Sequence, residues 1–436
     1  MELNPLNICR SVHQLLSDWG VGYGDIQGFS TLLSPDPFLL TPAEFQLLQK
    51  RGPLFWDWLS QLNSLYRDSL TQRGLSWVKN LFEAGLTPDL AEYQRSCLGL
   101  YPRLIRADQS SLTAVCEVQI PMSMAGWGFA SSIARAYQEV IRSNGSAKVF
   151  SSLAEKFYQG LGFASGKSQP VVFLPWSPKE QYRRIQGYFT AHLRSSGYPV
   201  ISREISELAG PALSADVDVV YTSSRHRCDP ASGAILLKVL ERGVMVEPPM
   251  NLLSDQKIAM IFPFHPQTRE YFSDGARSLF PPTALVAPDS FIELPDLGQL
   301  KIGDISKLGA SARKKLILKY AGIDPNRKSG GAAVYRLDDC NKAELEKMFT
   351  QDLLADYANG HPWIIQVNGG ERRLTAFWAK DGEEMVQKPL YYRFNPFYLR
   401  LPNGDVELAG SAVTLRGTWK VHGQLDSVSQ EVRIML

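Results

Sequence analysis

The sequence predicts an α/β protein with a large share of antiparallel strands. Three observations support this prediction. Apolar residues recur every three to four positions over the first hundred residues, which is the spacing of amphipathic helices. Polar and apolar residues then alternate at 103–120, which predicts a β-hairpin. Short apolar runs next alternate with helical patterns over 168–250, and this order implies a parallel sheet.

The composition limits the possible classes of function. The chain has 436 residues, 44% of them hydrophobic, so we expect two or three packed lobes. Its 46 basic and 44 acidic residues are spread evenly, which argues against a nucleic-acid partner. The sequence shows neither a signal-peptide pattern nor a membrane span, so we expect a cytoplasmic protein without a membrane partner. Five scattered cysteines without a C-x-x-C pair argue against a zinc site.

Changes in pattern divide the chain into four predicted parts. The first is helical, and its simplest interpretation is a cap without chemistry of its own. The second contains the hairpin, the third is the small parallel α/β unit, and the fourth alternates helices and antiparallel strands. In the fourth part we expect a helix at 252–263 and strands at 315–320, 332–337 and 363–367. The predicted parts are residues 1–100, 101–165, 166–250 and 251–436.

The hairpin carries a group of polar side chains that could bind a metal. Residues two apart in a strand share a face, so Arg106 aligns with Asp108, and Glu117 aligns with Gln119. Two carboxylates and an amide oxygen are ligands that suit magnesium rather than zinc. The alternative is a solvated strand face with an Arg–Asp pair, and spacing alone favours that alternative.

Two lysines and a glycine loop in the fourth part predict a phosphate site. Lys257 lies at the edge of the predicted helix. Lys319 ends an apolar strand, where a cation is costly to bury unless it meets an anion. The loop after Lys319 contains Gly330 and Gly331, and such a loop can bring backbone N–H groups close to phosphate oxygens.

The strand P-W-I-I-Q-V-N at 362–368 ends at Gln366 and Val367. A buried strand that runs into polar residues offers backbone groups to the edge of an adenine ring. An ordinary core strand explains the same pattern and is more frequent.

Two basic groups remain as candidate sites. Arg416 alternates with Lys420 and His422 on one face of a predicted strand, which is equally typical of a solvent-facing strand. The segment R-H-R at 225–227 follows a strand of the parallel unit, a common place for ligand contacts. We therefore expect Arg225, His226 and Arg227 to bind an anionic substrate.

Taken in order, these elements resemble the glutathionylspermidine synthase branch of the ATP-grasp enzymes, including its circularly permuted bacterial relatives. The matching elements are R-A-D at 106–108, E-V-Q at 117–119, V-E-P-P-M-N-L-L-S-D-Q-K-I-A at 246–259, I-L-K-Y followed by S-G-G-A-A-V, and W-I-I-Q at 363–366. The chain departs from the family in Gln119, which replaces an Asn, in K-Y, which replaces K-P, and in lacking D-T-P-T. The last departure argues against glutathione as the substrate.

The resemblance implies ATP-grasp lobes around a small pre-ATP-grasp domain at 166–250, with ATP and magnesium as cofactors. It implies a ligase that joins a small-molecule carboxylate to an amine through an acyl phosphate. The magnesium ligands would be Asp108, Glu117 and Gln119. The catalytic contacts would be Arg106, Lys257 and Arg416. The nucleotide contacts would be Lys257, Lys319, Gly330, Gly331, Gln366 and Val367.

Two other functions fit the same residues. One is a nucleotide-binding scaffold that has lost catalysis, which the departures at Gln119 and Tyr320 favour. The other is a phosphotransferase that delivers phosphate to a hydroxyl group. No Ser-His-Asp or Cys-His pattern accompanies the basic and acidic residues, which suits phosphoryl chemistry because it depends mainly on positioning and charge stabilisation.

Overall fold

The protein is described by a computed structural model, and it has the mixed α/β fold that the sequence predicts. The described residues are 4–21, 32–120, 124–141, 147–150, 152–177, 180–210, 216–223, 226–227, 229–251, 253, 256–294, 298–324, 327, 333–379, 384–421 and 426–435. Within them, no helix combines the length and apolar character needed to cross a bilayer. The α-helices are Pro5–Asp18, Pro42–Ser69, Ser76–Glu83, Pro88–Ser96, Met124–Val140, Leu153–Ser165, Glu180–Ser195, Pro230–Glu241, Asp274–Arg277, Ala310–Arg313, Lys342–Lys347 and Leu353–Ala358.

A seven-stranded sheet, here called the large sheet, is the main scaffold. The predicted hairpin forms one edge of it, with Arg106 opposite Gln119 and Asp108 opposite Glu117. The hairpin pairs with strands from the end of the chain, so the second and fourth predicted parts share one sheet. Across the sheet, the strands are Arg372–Ala379, Leu32–Leu33, Val428–Gln430, Val406–Arg416, Glu384–Arg400, Leu104–Gln109 and Val115–Gln119.

The predicted parallel unit is confirmed. Four strands pair in parallel, and the helix Glu180–Ser195 connects the first two of them in the chain. Their apolar side chains are buried on both faces, as expected for a parallel sheet covered by helices. The strands, in order across the sheet, are Val200–Arg203, Val172–Pro175, Val219–Tyr221 and Met245–Glu247.

A four-stranded antiparallel sheet, here called the small sheet, lies in the fourth part. The helix expected at 252–263 is wrong in length, because its described part is only the 3-10 helix Lys257–Ile261. Every residue of that segment is buried, so it packs on more than one side instead of forming an amphipathic helix. The strands across the small sheet are Thr283–Leu285, Trp363–Val367, Leu316–Tyr320 and Val334–Arg336.

The N-terminal region is not purely helical. Leu32–Leu33 joins the large sheet, and Phe38–Leu40 pairs in parallel with Val432–Met435 in a three-stranded sheet completed by Ala147–Val149. The 28-residue helix Pro42–Ser69 begins at a capping box between Thr41 and Glu44. It packs closely on the large sheet, because a Cβ at Gly52 would lie 2.9 Å from the Val406 side chain. The remaining two strands, Phe291–Leu294 and Gly298–Lys301, form a hairpin.

Glu247 joins the parallel sheet to the large sheet. Its Oε1 accepts a hydrogen bond from the backbone N–H of Arg103 at 2.7 Å, just before the strand Leu104–Gln109. The side chain is only 2% exposed. Burial raises the pKa of the Glu247 carboxyl to about 7, against the lowering effect of that hydrogen bond and of the Arg227 charge.

We predict that Glu247→Gln removes a pH dependence of stability. The folded protein holds the Glu247 proton more tightly than the unfolded chain does, so this stabilisation is complete below about pH 4.5 and is lost as the pH rises through about 7. Glutamine keeps an acceptor for the Arg103 N–H but does not titrate. Between those limits, the free energy of unfolding of wild type should fall by about 3 kcal/mol relative to the variant. Urea unfolding across this range measures the difference, and parallel curves would contradict the prediction.

Candidate functional site

The structure brings Arg106, Asp108 and Gln119 together on one face of the large sheet. Arg106 donates from Nε to Asp108 Oδ1 at 2.8 Å and from Nη2 to Asp108 Oδ2 at 3.3 Å. The same Nη2 donates to Gln119 Oε1 at 2.6 Å, because Arg106 lies directly opposite Gln119 in the hairpin. The guanidinium group therefore bridges two of the three predicted magnesium ligands.

Two residues that the sequence reasoning missed complete the surroundings of Asp108. Asn395 donates from Nδ2 to Asp108 Oδ1 at 2.7 Å, and Arg393 Nη1 lies 3.6 Å from Asp108 Oδ2. Both come from Glu384–Arg400, the strand beside the hairpin. The segment R-F-N places two polar residues on one strand face, and this alternation was the available signal.

Lys257 forms an ion pair with the remaining predicted ligand, Glu117. Its Nζ lies 2.8 Å from Glu117 Oε1, and the Glu117 side chain keeps 28% exposure. Burial raises the pKa of the Glu117 carboxyl, but the Lys257 charge and hydrogen bond outweigh it and hold the pKa below its ordinary value. Glu117 is therefore ionised, and it faces a cation.

Lys319 connects the small sheet to the hairpin. Its Nζ donates to the backbone oxygen of Cys116 at 2.9 Å and to Gln366 Oε1 at 2.5 Å. Only 6% of Lys319 is exposed, and desolvation lowers the pKa of its ammonium group. The lysine is buried against neutral oxygens and lies near Glu117, whose charge opposes part of that lowering.

The residues predicted to border an adenine ring are committed to internal contacts. Gln366 is 2% exposed and also donates from Nε2 to Thr283 Oγ1 at 3.0 Å. The N–H of Val367 donates to the backbone oxygen of Pro282 at 3.0 Å. The Gln366 amide and the Val367 N–H therefore already have internal partners. The adenine site stays a prediction. Gly330, Gly331, Arg225 and His422 lie outside the described residues.

The other predicted basic residues make contacts elsewhere. Arg416 donates to the Asp426 carboxylate at 2.7 Å and to the backbone oxygen of Lys420 at 3.0 Å, so it pairs at the end of its own strand. His226 lies 3.0 Å from Ser223 Oγ and 3.2 Å from the backbone oxygen of Trp176. Arg227 is fully buried and donates to the backbone oxygens of Pro248 and Pro249. The Arg227 side chain therefore binds the backbone after Glu247, and its contact with a substrate anion stays a prediction.

The oxygen donors are chemically suited to magnesium, but their arrangement does not fit it. Both oxygens of Asp108 face N–H donors, and its side chain is only 1% exposed. Gln119 Oε1 faces Arg106, and Glu117 faces Lys257. Among the described residues, no group of three or more His, Cys, Asp or Glu side chains could hold a metal ion. The magnesium site stays a prediction.

We predict that Asp108→Ala destabilises the protein strongly, because it leaves Arg106 and Arg393 beside each other without their shared carboxylate. The loss of a buried partner should lower the free energy of unfolding by about 3 kcal/mol. Asp426→Ala is the matched control, since Asp426 also pairs with an arginine but is 56% exposed. Its cost should be at most about 1 kcal/mol. Denaturant unfolding compares the two variants, and equal costs would show that burial of Asp108 does not matter.

Comparison with known proteins gives a likeness in structure. No protein-family model matches the chain, and no curated protein matches its sequence. A solved structure of a glutathione synthetase-like effector from Globodera pallida, in the apo form, superposes with a TM-score of 0.58. The two chains are 14% identical, and the match covers 100% of this chain and 98% of the effector. At this identity the likeness concerns the fold alone. The chain has a mixed α/β fold similar to that of the glutathione synthetase-like effector.

Proposed function

We propose that the protein is an ATP-dependent ligase that joins a carboxylate to an amine through an acyl phosphate. One observation carries the proposal. Two lysines from separate elements contact the hairpin strand Val115–Gln119: Lys257 pairs with Glu117, and Lys319 of the small sheet donates to the backbone oxygen of Cys116. Lysines are common partners of phosphate oxygens, and these two are buried at 8% and 6% exposure, where an anion would gain most from them.

In the proposed reaction, the phosphates of ATP lie against Lys257 and Lys319, and the substrate carboxylate attacks the γ-phosphorus. The new P–O bond gives an acyl phosphate, and the bond to ADP breaks. The amine then attacks the acyl carbon, the C–O bond to phosphate breaks, and the nitrogen loses a proton to the departing phosphate or to solvent. Arg106, held by Asp108, and Lys257, paired with Glu117, stabilise the charge that develops on the transferred phosphoryl group. Magnesium would enter as part of the Mg–ATP substrate.

The reaction class receives support from two sources. The first source is the sequence, which carries R-A-D, E-V-Q and the two lysine elements in the order typical of the ATP-grasp branch named above. The second is the fold, which is similar to that of the effector. The solved neighbour is described as glutathione synthetase-like, which is the name of a carboxylate–amine ligase. We extend the proposal to a relationship with the glutathionylspermidine synthase branch, with a small-molecule carboxylate and amine as substrates.

A second candidate is a nucleotide-binding scaffold without catalysis. It is favoured by the enclosure of Asp108, whose two oxygens are occupied by Arg106 and Asn395. An enclosed carboxylate can hold the site together without taking part in a reaction. The two candidates share the nucleotide site and differ only in turnover.

We predict that Lys319→Met abolishes ATP binding while the protein still folds. Methionine fills the same space without a desolvated ammonium group, although it leaves Gln366 Oε1 and the Cys116 oxygen without this donor. The free energy of unfolding should therefore change by less than about 2 kcal/mol. Thermal unfolding with and without Mg–ATP measures the effect, because a bound ligand raises the melting temperature.

The matched control is Lys307→Met, which removes a lysine that is 75% exposed and pairs with Asp304. Wild type and this control should both be stabilised by ATP, and Lys319→Met should not. If wild type shows no shift at millimolar ATP, the nucleotide site is wrong. Analysis of products then separates the activities: ADP with an amide supports the ligase, ADP with a phosphomonoester supports a phosphotransferase, and ATP binding without turnover supports the scaffold.

A further inference from the structure

We propose that the cluster around Asp108 binds a chain of phosphates without a divalent cation, and that Arg393 is a direct contact of the ligand's oxygens. The proposal rests on the proposed nucleotide site, but it does not depend on ligase turnover. It follows from the disagreement between the predicted magnesium site and the contacts that its three ligands make.

Asp108 is surrounded by hydrogen-bond donors. Its carboxylate receives two hydrogen bonds from Arg106, one from Asn395 and one from Gln119 Nε2, and it is 1% exposed. A metal ion could reach these oxygens only by displacing a guanidinium group that binds both of them. Bidentate guanidinium–carboxylate pairs are among the strongest side-chain contacts. Asp108 is therefore an anchor for cations, and we do not expect it to be a metal ligand.

Arg393 contacts Asp108 less closely than Arg106 does. Its Nη1 lies 3.6 Å from Asp108 Oδ2, which is an ion-pair distance but beyond a hydrogen bond. Its Nε is buried and has no hydrogen-bond partner within the described residues. The side chain keeps 25% exposure. The Asp108 charge thus holds the guanidinium in place, and the exposed part of the Arg393 side chain can meet an oxyanion.

The cluster carries an excess of positive charge. Four basic side chains, Arg106, Arg393, Lys257 and Lys319, surround two carboxylates, Asp108 and Glu117. The basic groups outnumber the acidic ones, so the cluster favours an anion over a second cation. These side chains can neutralise a phosphate chain in the way that a bound divalent cation does elsewhere.

The ligand class follows from the number of donors and from the separate elements that carry them. Lys257, Lys319 and Arg393 come from the segment 257–261, the small sheet and the large sheet, and each contacts a residue of the hairpin. A single phosphate has one centre of charge, whereas a tripolyphosphate chain has three and can meet several such donors at once. We therefore assign the site to the tripolyphosphate group of a nucleotide or to inorganic tripolyphosphate.

The test is calorimetric titration of the full-length protein with sodium tripolyphosphate in buffer containing EDTA. Wild type should bind, and Arg393→Gln should bind at least about tenfold more weakly, as expected for the loss of one charge-assisted contact. Arg393→Lys keeps the charge but not the planar fork, and it should be intermediate. Arg400→Gln is the control on the same strand, because Arg400 lies over the Tyr101 ring, 5.6 Å from its centre, and should bind as wild type does.

Two results would overturn the proposal. One is binding by wild type only when magnesium is added. The other is wild-type affinity in Arg393→Gln, with an unchanged melting temperature as evidence that the variant is folded. The outcomes also separate this proposal from the ligase. Tripolyphosphate binding in EDTA without any ATP turnover keeps the phosphate site and rejects the ligase, whereas turnover unaffected by Arg393→Gln keeps the ligase and rejects the role of Arg393.

Discussion

The contacts of the candidate site depend on one buried carboxylate, that of Asp108. It lies on the hairpin strand Leu104–Gln109 and receives hydrogen bonds from Arg106 on the same strand and from Asn395 on the neighbouring one. Burial of a charge is costly unless it is paired and hydrogen-bonded, so these partners must adopt positions that satisfy it. Arg106, Arg393 and Asn395 are therefore held beside Asp108 by its charge.

Around this carboxylate, the site joins separately folded parts of the chain through polar contacts. Lys319 reaches the hairpin from the small sheet by donating to the backbone oxygen of Cys116. Glu247 reaches it from the parallel sheet by accepting from the Arg103 N–H. These two contacts tie the small sheet and the parallel sheet to the hairpin region through its backbone. Apolar packing joins the small sheet to the hairpin as well, since Leu285 and Ile364 share a buried cluster with Ile105.

The sequence predicted the local pattern well and the long-range partners poorly. Alternation of polar and apolar residues was enough to predict the hairpin and to place Asp108 beside Glu117. Alternation of strands and helices was likewise enough for the parallel unit. Asn395 is 287 residues from Asp108 in the chain, and only the pairing of distant strands brings them together. Spacing alone already favoured the Arg106–Asp108 pair, and the structure has that pair. The further contacts of Asp108 with Asn395 and Arg393 depend on the distant pairing, so residue type and spacing could not predict them.

The ion pair between Lys257 and Glu117 links anion binding at the site to the charge of Glu117. Glu117 is the more accessible of the two carboxylates, at 28% exposure, and Lys257 is its cation. Burial raises the pKa of the Glu117 carboxyl, and the Lys257 charge is the main effect that opposes it. In the proposed reaction, a phosphate competes with Glu117 for the same ammonium group. A phosphate that binds Lys257 would therefore leave Glu117 either to gain a proton or to pair with another cation, such as the amine of the proposed substrate.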